Sequence, residues 1–526
     1  MRDFHLPGRS ALFATNGLCA TSHPLAAKVA VQIMEAGGNA VDAAIAGAAL
    51  LTVAEPPMCG IGGDCFVLLK PAGDERIIAL NGSGRAPDAL SADRLRQAGH
   101  REMPLYGVES VTVPGAIDAF CRLSDDWGRM GLAASLAPAI HYAETGVPVA
   151  PRTAFDWRNA EPHLRGDARK FHLFGGKPPE VGQIYRAPTI AEVLRRVAMD
   201  GRDAFYEGEI AQDMVDSLRS LGGVHSLDDF ARHRSEYVEP LSGSYKGIEL
   251  VEHPPNGQGA TAILLSNILS RLDLSAFDPM GSKRAHIEAE AAKLAYDARD
   301  RFLADPQHVT RMEHMLSPET ADRLASLVDP ERAMTSATPL AEAVHKDTVY
   351  LTVIDKDLMA VSLIYSVYHG FGTGLASRKF GIVFQNRGAG FSLTPGHPNE
   401  AGGGKRPMHT IIPAMLRQNG RLTMSFGVMG GAYQPCGHVR IMTNMVDYAM
   451  SPQAALDAPR SFADEAVLKV ERGYSPQVMQ ELAALGHRVT VPDVPLGGGQ
   501  IIRIDHARGV LEGASDPRKD GCALGY

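Results

Sequence analysis

None of the six cysteines, Cys19, Cys59, Cys65, Cys121, Cys436 and Cys522, forms a CxxC pair. That spacing argues against a thiolate metal cluster or a dense disulfide framework, and free thiols in a reducing compartment are expected. Basic charge is not in excess: 52 Lys and Arg stand against 60 Asp and Glu, a net charge of -8. Without a basic footprint, no nucleic-acid partner is expected. The apolar run Ala43 to Val53 is too short to cross a bilayer, and Asp42 sits at its start. Met1 to Ser10 holds no apolar segment of signal-peptide length, so a cytoplasmic protein without a membrane partner is expected. Gly402-Gly-Gly-Lys405 is followed by Arg406, where a phosphate-binding loop needs Ser or Thr. His286, Glu288 and Glu290 are spaced by two along a predicted helix and fall on different faces, so no metal is expected there. No cofactor is expected either.

What is present is ordinary for a large globular core: 45% hydrophobic and 21% charged residues over 526 positions. Length alone suggests about three to four domains. The 54 glycines and 34 prolines indicate many turns and close backbone approaches rather than disorder. His23 to Val53 has the spacing of two packed helices joined at Ala36-Gly-Gly-Asn39. The glycine-rich segment Glu55 to Cys65 then leads into a strand, Phe66 to Leu69, and a second strand, Arg76 to Asn81, ends at Gly82-Ser-Gly-Arg-Ala-Pro87. Residues 105–350 read as mostly helical, with a strand pair between Pro240 and Pro255 and a long amphipathic helix from Arg284 to Leu303. From Asp329 to about 347 the composition is that of a flexible linker.

The segment after this linker organises the rest. Thr348 to Ile354 is rich in β-branched and aromatic residues and reads as a strand. Asp355-Lys-Asp357 is a turn, Met359 to Val367 a second strand, and Gly370-Phe-Gly-Thr-Gly374 a glycine loop. A threonine opening a strand is by itself only a β-former. Here it is followed at fixed intervals by Val353-Ile-Asp-Lys-Asp357, by Ser366 and by the glycine loop. In that order the segment resembles the self-cleavage site of the γ-glutamyltransferase (glutathione hydrolase) family of N-terminal-nucleophile hydrolases. The resemblance extends over essentially the whole chain and includes the Gly60-Ile-Gly-Gly63 segment.

The resemblance implies an α+β fold, a four-layer αββα sandwich. It also implies cleavage between Asp347 and Thr348, giving a large fragment, 1–347, and a small fragment, 348–526, that interleave as one unit; a higher oligomer is compatible with it. Chemistry gives the reason for such a cut. A threonine hydroxyl needs an adjacent base, and an α-amino group with a pKa of about 7.7–8.0 can serve, whereas a peptide nitrogen cannot. Thr348 is thus the expected nucleophile, with Ser366 as the second hydroxyl that orients it. Gly430 and Gly431, in Ser425-Phe-Gly-Val-Met-Gly-Gly431, match the family's oxyanion-binding glycine pair.

The substrate side departs from the glutathione-cleaving branch. Its carboxylate-clamping Arg falls on Ser83, with Arg85 two residues on. Its ammonium-binding Asp falls on Gly390, its Asn on Tyr368, its Gln on Arg387, and its Ser-Ser pair on His409-Thr410. These replacements resemble the branch that contains glutaryl-cephalosporin acylases and oxamate amidohydrolase. They suggest a small amide substrate whose acyl group carries a carboxylate but no α-amine. Arg387 is the first candidate for that carboxylate, with Arg85 and His409 next. Alternatives are a true γ-glutamyltransferase and an uncleaved, inactive scaffold or binding protein on the same fold.

Overall fold

The computed structural model describes residues 5, 8–334, 348–464 and 466–526. Two seven-stranded antiparallel sheets lie face to face. The first runs, in spatial order, Cys522–Gly525, Gly17–Thr21, Val349–Asp355, Ala360–Ser366, Asp64–Lys70, Ile78–Gly82 and Glu236–Val238. The second runs Leu12–Ala14, Val510–Ser515, Gly498–Asp505, Arg421–Met429, Ala414–Gln418, Ile248–Glu252 and Leu241–Tyr245. Each sheet therefore draws strands from both sides of Thr348, and the two halves of the sequence share one sandwich. The three to four domains that length alone suggests do not describe this arrangement.

Alternation along the strands produces the layers. In Val349–Asp355, the side chains of Val349, Leu351 and Val353 join an apolar cluster with the helices Pro24–Glu35 and Ala40–Ala54. Tyr350 and Ile354 point the other way, into the space between the sheets. Ala360–Ser366 alternates likewise, with Val361, Leu363 and Tyr365 toward the helices. Both faces of these central strands are buried, which is why they read as continuous apolar runs. On the far side, Gly259–Leu269, Ser282–Phe302 and Gln434–Val446 cover the second sheet. The result is the helix–sheet–sheet–helix sandwich implied by the resemblance.

Local chemistry fixes the central hairpin. Asp355 Oδ1 accepts from the Asp357 and Met359 amides, closing the turn, while its Oδ2 accepts from Ala40 N–H at 2.9 Å. One carboxylate thus ends a strand, shapes the hairpin and anchors the first turn of Ala40–Ala54. That helix also carries a capping box between Asn39 and Asp42. Asp347 and the linker residues 335–347 lie outside the described residues.

Candidate active site

Register places the chemistry-bearing residues in one row. Val349 pairs with Tyr365, and Ser366 pairs with Asp64. Continuing each ladder by one residue puts Thr348 opposite Ser366, and Ser83 opposite Asp64. All lie at the same end of the first sheet. Thr348 shares the parity of Tyr350 and so faces the second sheet. Its hydroxyl donates to Ser366 Oγ at 3.4 Å, and Ser366 Oγ accepts from the Tyr368 amide at 2.8 Å. Thr348 and Ser366 are both buried.

The facing sheet brings the glycine pair to this row. Thr352 Oγ1 bonds Ser425 Oγ at 2.6 Å, and a Cβ on Gly427 would strike the Tyr350 ring at 2.4 Å. Two residues back on one strand correspond to two residues forward on the other, so Thr348 faces the end of Arg421–Met429 and the turn at Gly430-Gly431. Gly430 has φ 114, and a Cβ there would meet Gly497 Cα at 2.8 Å. Only glycine fits that position. Gln258 Nε2 donates to Gly431 O at 2.9 Å and to Thr410 O at 2.6 Å, holding the turn beside the Lys405–Pro413 segment.

Arg387 sits inside this frame. It is fully buried, and its guanidinium carbon lies 4.0 Å from the centroid of the Tyr368 ring. Tyr368 adopts φ 85, a strained value for a tyrosine, at the point where the chain leaves Ala360–Ser366. Arg387 Nη1 donates to Thr410 Oγ1 at 3.0 Å. Its Nε and Nη2, which together form the edge that matches a carboxylate, have no partner among the described residues. Burial pulls this guanidinium down to about 10, against the opposing pull of Tyr368 and Asp64.

Asp64 and His409 complete the wall, and Asp64 is a residue that sequence reasoning missed. Asp64 Oδ1 accepts from Gln385 Nε2 at 2.8 Å, Gly84 N–H at 2.9 Å and Gly115 N–H at 3.2 Å. Its Oδ2 meets His409 Nε2 at 3.1 Å. His409 Nδ1 accepts from the Ile411 amide at 3.3 Å, so Nε2 carries the proton and donates to Asp64. Burial, with help from Arg387 and His253, holds the His409 imidazole well below its usual range, in the neutral form. Burial raises the Asp64 carboxyl, while Arg387, Gln385 and Gly84 oppose it. The Gly60-Ile-Gly-Gly63 loop that precedes Asp64 was the available signal, but a single buried Asp in a strand has no sequence pattern of its own.

Arg85 stands apart. It donates to Gly404 O at 3.0 Å and pairs with Glu236 at 3.1 Å and Asp305 at 3.4 Å, so its guanidinium is already engaged. Ser83 Oγ accepts from Asn256 Nδ2 at 3.0 Å. At Gly390 the Met408 carbonyl oxygen lies 2.6 Å from where a Cβ would stand. A side chain at Gly390 would therefore require the Met408 carbonyl to move.

A four-layer sandwich with a threonine hydroxyl at the end of a central strand, facing the opposite sheet, is the architecture of the N-terminal-nucleophile hydrolases. The chain belongs to the gamma-glutamyltranspeptidase family, whose sequence profile matches residues 26–526. It is 35% identical to the glutathione hydrolase-like YwrD proenzyme of Bacillus subtilis, covering 98% of this chain and 99% of that protein. It is 34% identical to the oxamate amidohydrolase proenzyme of Klebsiella pneumoniae, with 98% and 99% covered. Among solved structures, the cephalosporin acylase from Bacillus halodurans superposes with a TM-score of 0.92 at 39% identity, covering 100% of this chain and 99% of that one. Among the described residues no helix is long and apolar enough to cross a membrane.

Proposed function

We propose that the chain is a self-processing amidohydrolase that cleaves small amides whose acyl group ends in a carboxylate. In maturation the Thr348 hydroxyl attacks the Asp347 carbonyl, the acyl group passes from nitrogen to oxygen, and water hydrolyses the ester. This leaves Asp347 as a carboxylate and Thr348 with a free amine. In turnover that amine takes the hydroxyl proton as Oγ1 attacks the substrate carbonyl, and Ser366 orients the hydroxyl. The Gly430 and Gly431 amides face the developing oxyanion. Collapse expels the amine with the proton, and water attacking the acyl ester of Thr348 regenerates the enzyme. Both sheets contain strands from 1–347 and from 348–526, hydrogen-bonded side by side, which favours the two fragments remaining together after the cut.

One observation carries the substrate class: the carboxylate-matching edge of buried Arg387 lacks a partner among the described residues. An uncompensated buried guanidinium is costly, and a substrate carboxylate on Nε and Nη2 would relieve it. Tyr368 stacks on its face, and Thr410 holds its other end. His409, neutral and donating to Asp64, shapes the wall. Asp64 already takes three donors on Oδ1 (Gln385, Gly84 and Gly115) and His409 on Oδ2, which makes it a weaker partner for an α-ammonium than an unengaged carboxylate would be. With no carboxylate at Gly390 either, glutamyl groups are disfavoured relative to oxamate- or glutaryl-type groups. The oxamate amidohydrolase and cephalosporin acylase relatives agree with this preference. The cysteines are all free, as a reducing cytoplasmic setting would require.

The test is to incubate purified protein with γ-glutamyl, glutaryl and oxamate amides and measure kcat/KM for each. Preference for an oxamate or glutaryl amide is expected. A strong preference for γ-glutamyl substrates would overturn the pocket assignment, and a single uncut chain without activity would leave the scaffold reading.

A further inference from the structure

We propose that His286, Glu290 and His487 form a binding site for one divalent transition-metal ion, zinc by its chemistry, sharing no residue with the Thr348 site. The expectation that His286, Glu288 and Glu290 fall on different helical faces holds for Glu288, which points to Arg284 at 2.8 Å and to Arg440, but not for Glu290. Glu290 is the residue that shares a face with His286, one turn along Ser282–Phe302. His487, just beyond the helix Pro476–Ala484, closes the group from 201 positions away.

The geometry is that of a ligand set. All three residues are buried, and their ligand atoms lie within 4.8 Å of one another. His286 Nδ1 is 2.7 Å from His487 Nε2, and His487 Nε2 is 4.0 Å from Glu290 Oε1. The proton between these nitrogens lies on His487 Nε2 and His286 Nδ1 accepts it; an ion would take that Nδ1 lone pair and require His487 to carry its proton on Nδ1 instead. His286 Nε2 donates to Asp329 O at 2.8 Å, the backbone-carbonyl contact that fixes Nδ1 as the free nitrogen of a ligating histidine. Two imidazoles and one carboxylate suit zinc, with a water in the fourth position; calcium and magnesium prefer oxygen alone.

The same residues hold the chain that leads toward the cleavage site. Glu290 Oε2 accepts from Met334 N–H at 2.7 Å, and Lys293 Nζ donates to Glu290 Oε1 at 2.7 Å and to Met334 O at 3.0 Å. An ion would displace Lys293 from Glu290 Oε1, leaving it on the Met334 carbonyl, and would cross-link Ser282–Phe302, the His487 turn and the 329–334 stretch.

The experiment uses the untagged full chain, dialysed against a chelator and titrated with zinc in competition with a chromophoric chelator. Cobalt uptake is followed by its visible absorption, and circular dichroism checks folding. One zinc per chain is expected. His487→Ala should weaken binding by about tenfold or more. Lys293→Met, which removes the competing ammonium, should tighten it by about tenfold. The proposal is overturned if neither the wild type nor Lys293→Met takes up stoichiometric zinc at about micromolar concentration. It is equally overturned if folded His487→Ala and Glu290→Gln proteins bind zinc as the wild type does.

Discussion

The guanidinium carbon of Arg387 lies over the ring of Tyr368, 4.0 Å from its centroid, and the Tyr368 amide in turn donates to Ser366 Oγ. A single backbone turn at φ 85 thus connects the carboxylate-matching edge to the hydroxyl beside Thr348. The proposed carboxylate site and the proposed nucleophile are joined through Tyr368.

Arg387→Met should lower kcat/KM for carboxylate-bearing acyl amides by about 2–5 kcal/mol of transition-state binding, on the order of thirtyfold to several thousandfold. Amides with a neutral acyl group of the same size should change little. Steady-state kinetics on the two substrate classes decides, and an equal loss on both would show that Arg387 serves the fold rather than the substrate.

Wild-type protein should run as two fragments on a denaturing gel, the smaller beginning at Thr348 by N-terminal sequencing. Thr348→Ala should run as one full-length band, because neither the attacking oxygen nor the later nucleophile remains.

Ser366→Ala removes the oxygen that Thr348 donates to and that the Tyr368 amide needs. Loss of about 1 kcal/mol in positioning predicts processing and turnover slowed by roughly fivefold to tenfold. Ser366→Thr, which keeps the hydroxyl, should retain most of the rate in the same time course.

Gly430→Ala would push a methyl group to 2.8 Å from Gly497 Cα in a backbone region that alanine avoids. A destabilisation of about 1–3 kcal/mol is expected from the clash, read as a lower unfolding midpoint, together with loss of activity as the turn moves away from Thr348.

Acid should destabilise the protein through its buried histidines. Burial lowers His172 to about 3, and His225 and His253 to about 4, all from 6.5. With folded values below unfolded ones, the unfolded chain binds more protons as pH falls. Stability is therefore fully present above pH 6.5 and is lost on descent toward pH 4, by about 1.4 kcal/mol per histidine per pH unit. Denaturant midpoints measured between pH 7.5 and about 4.5 should fall steadily; a flat profile would show that these rings take up protons without unfolding.

The hairpin around Thr348, the helices on either side of Gly37-Gly38 and the long helix near 284–303 were legible in the sequence because their signals are local: β-branched runs, turn residues and apolar periodicity. The order of Thr348, Asp355, Ser366 and the glycine loop was specific enough to indicate a family, and Arg387 stood out because an arginine replaced a neutral residue.

Other features were decided by tertiary structure alone. Asp64, Gln385 and His409 come together from positions 64, 385 and 409 only once the two sheets are stacked. Arg85, close to Ser83 in sequence, is drawn away by Glu236 and Asp305. His286 and Glu290 gain meaning only when His487 arrives from 201 positions away. Sequence by itself determined the family and marked Thr348 as the residue to propose as nucleophile, because that setting is written along one strand and its turn. Only the folded chain decided what surrounds it, because charge, burial and hydrogen-bond saturation are properties of neighbours in space.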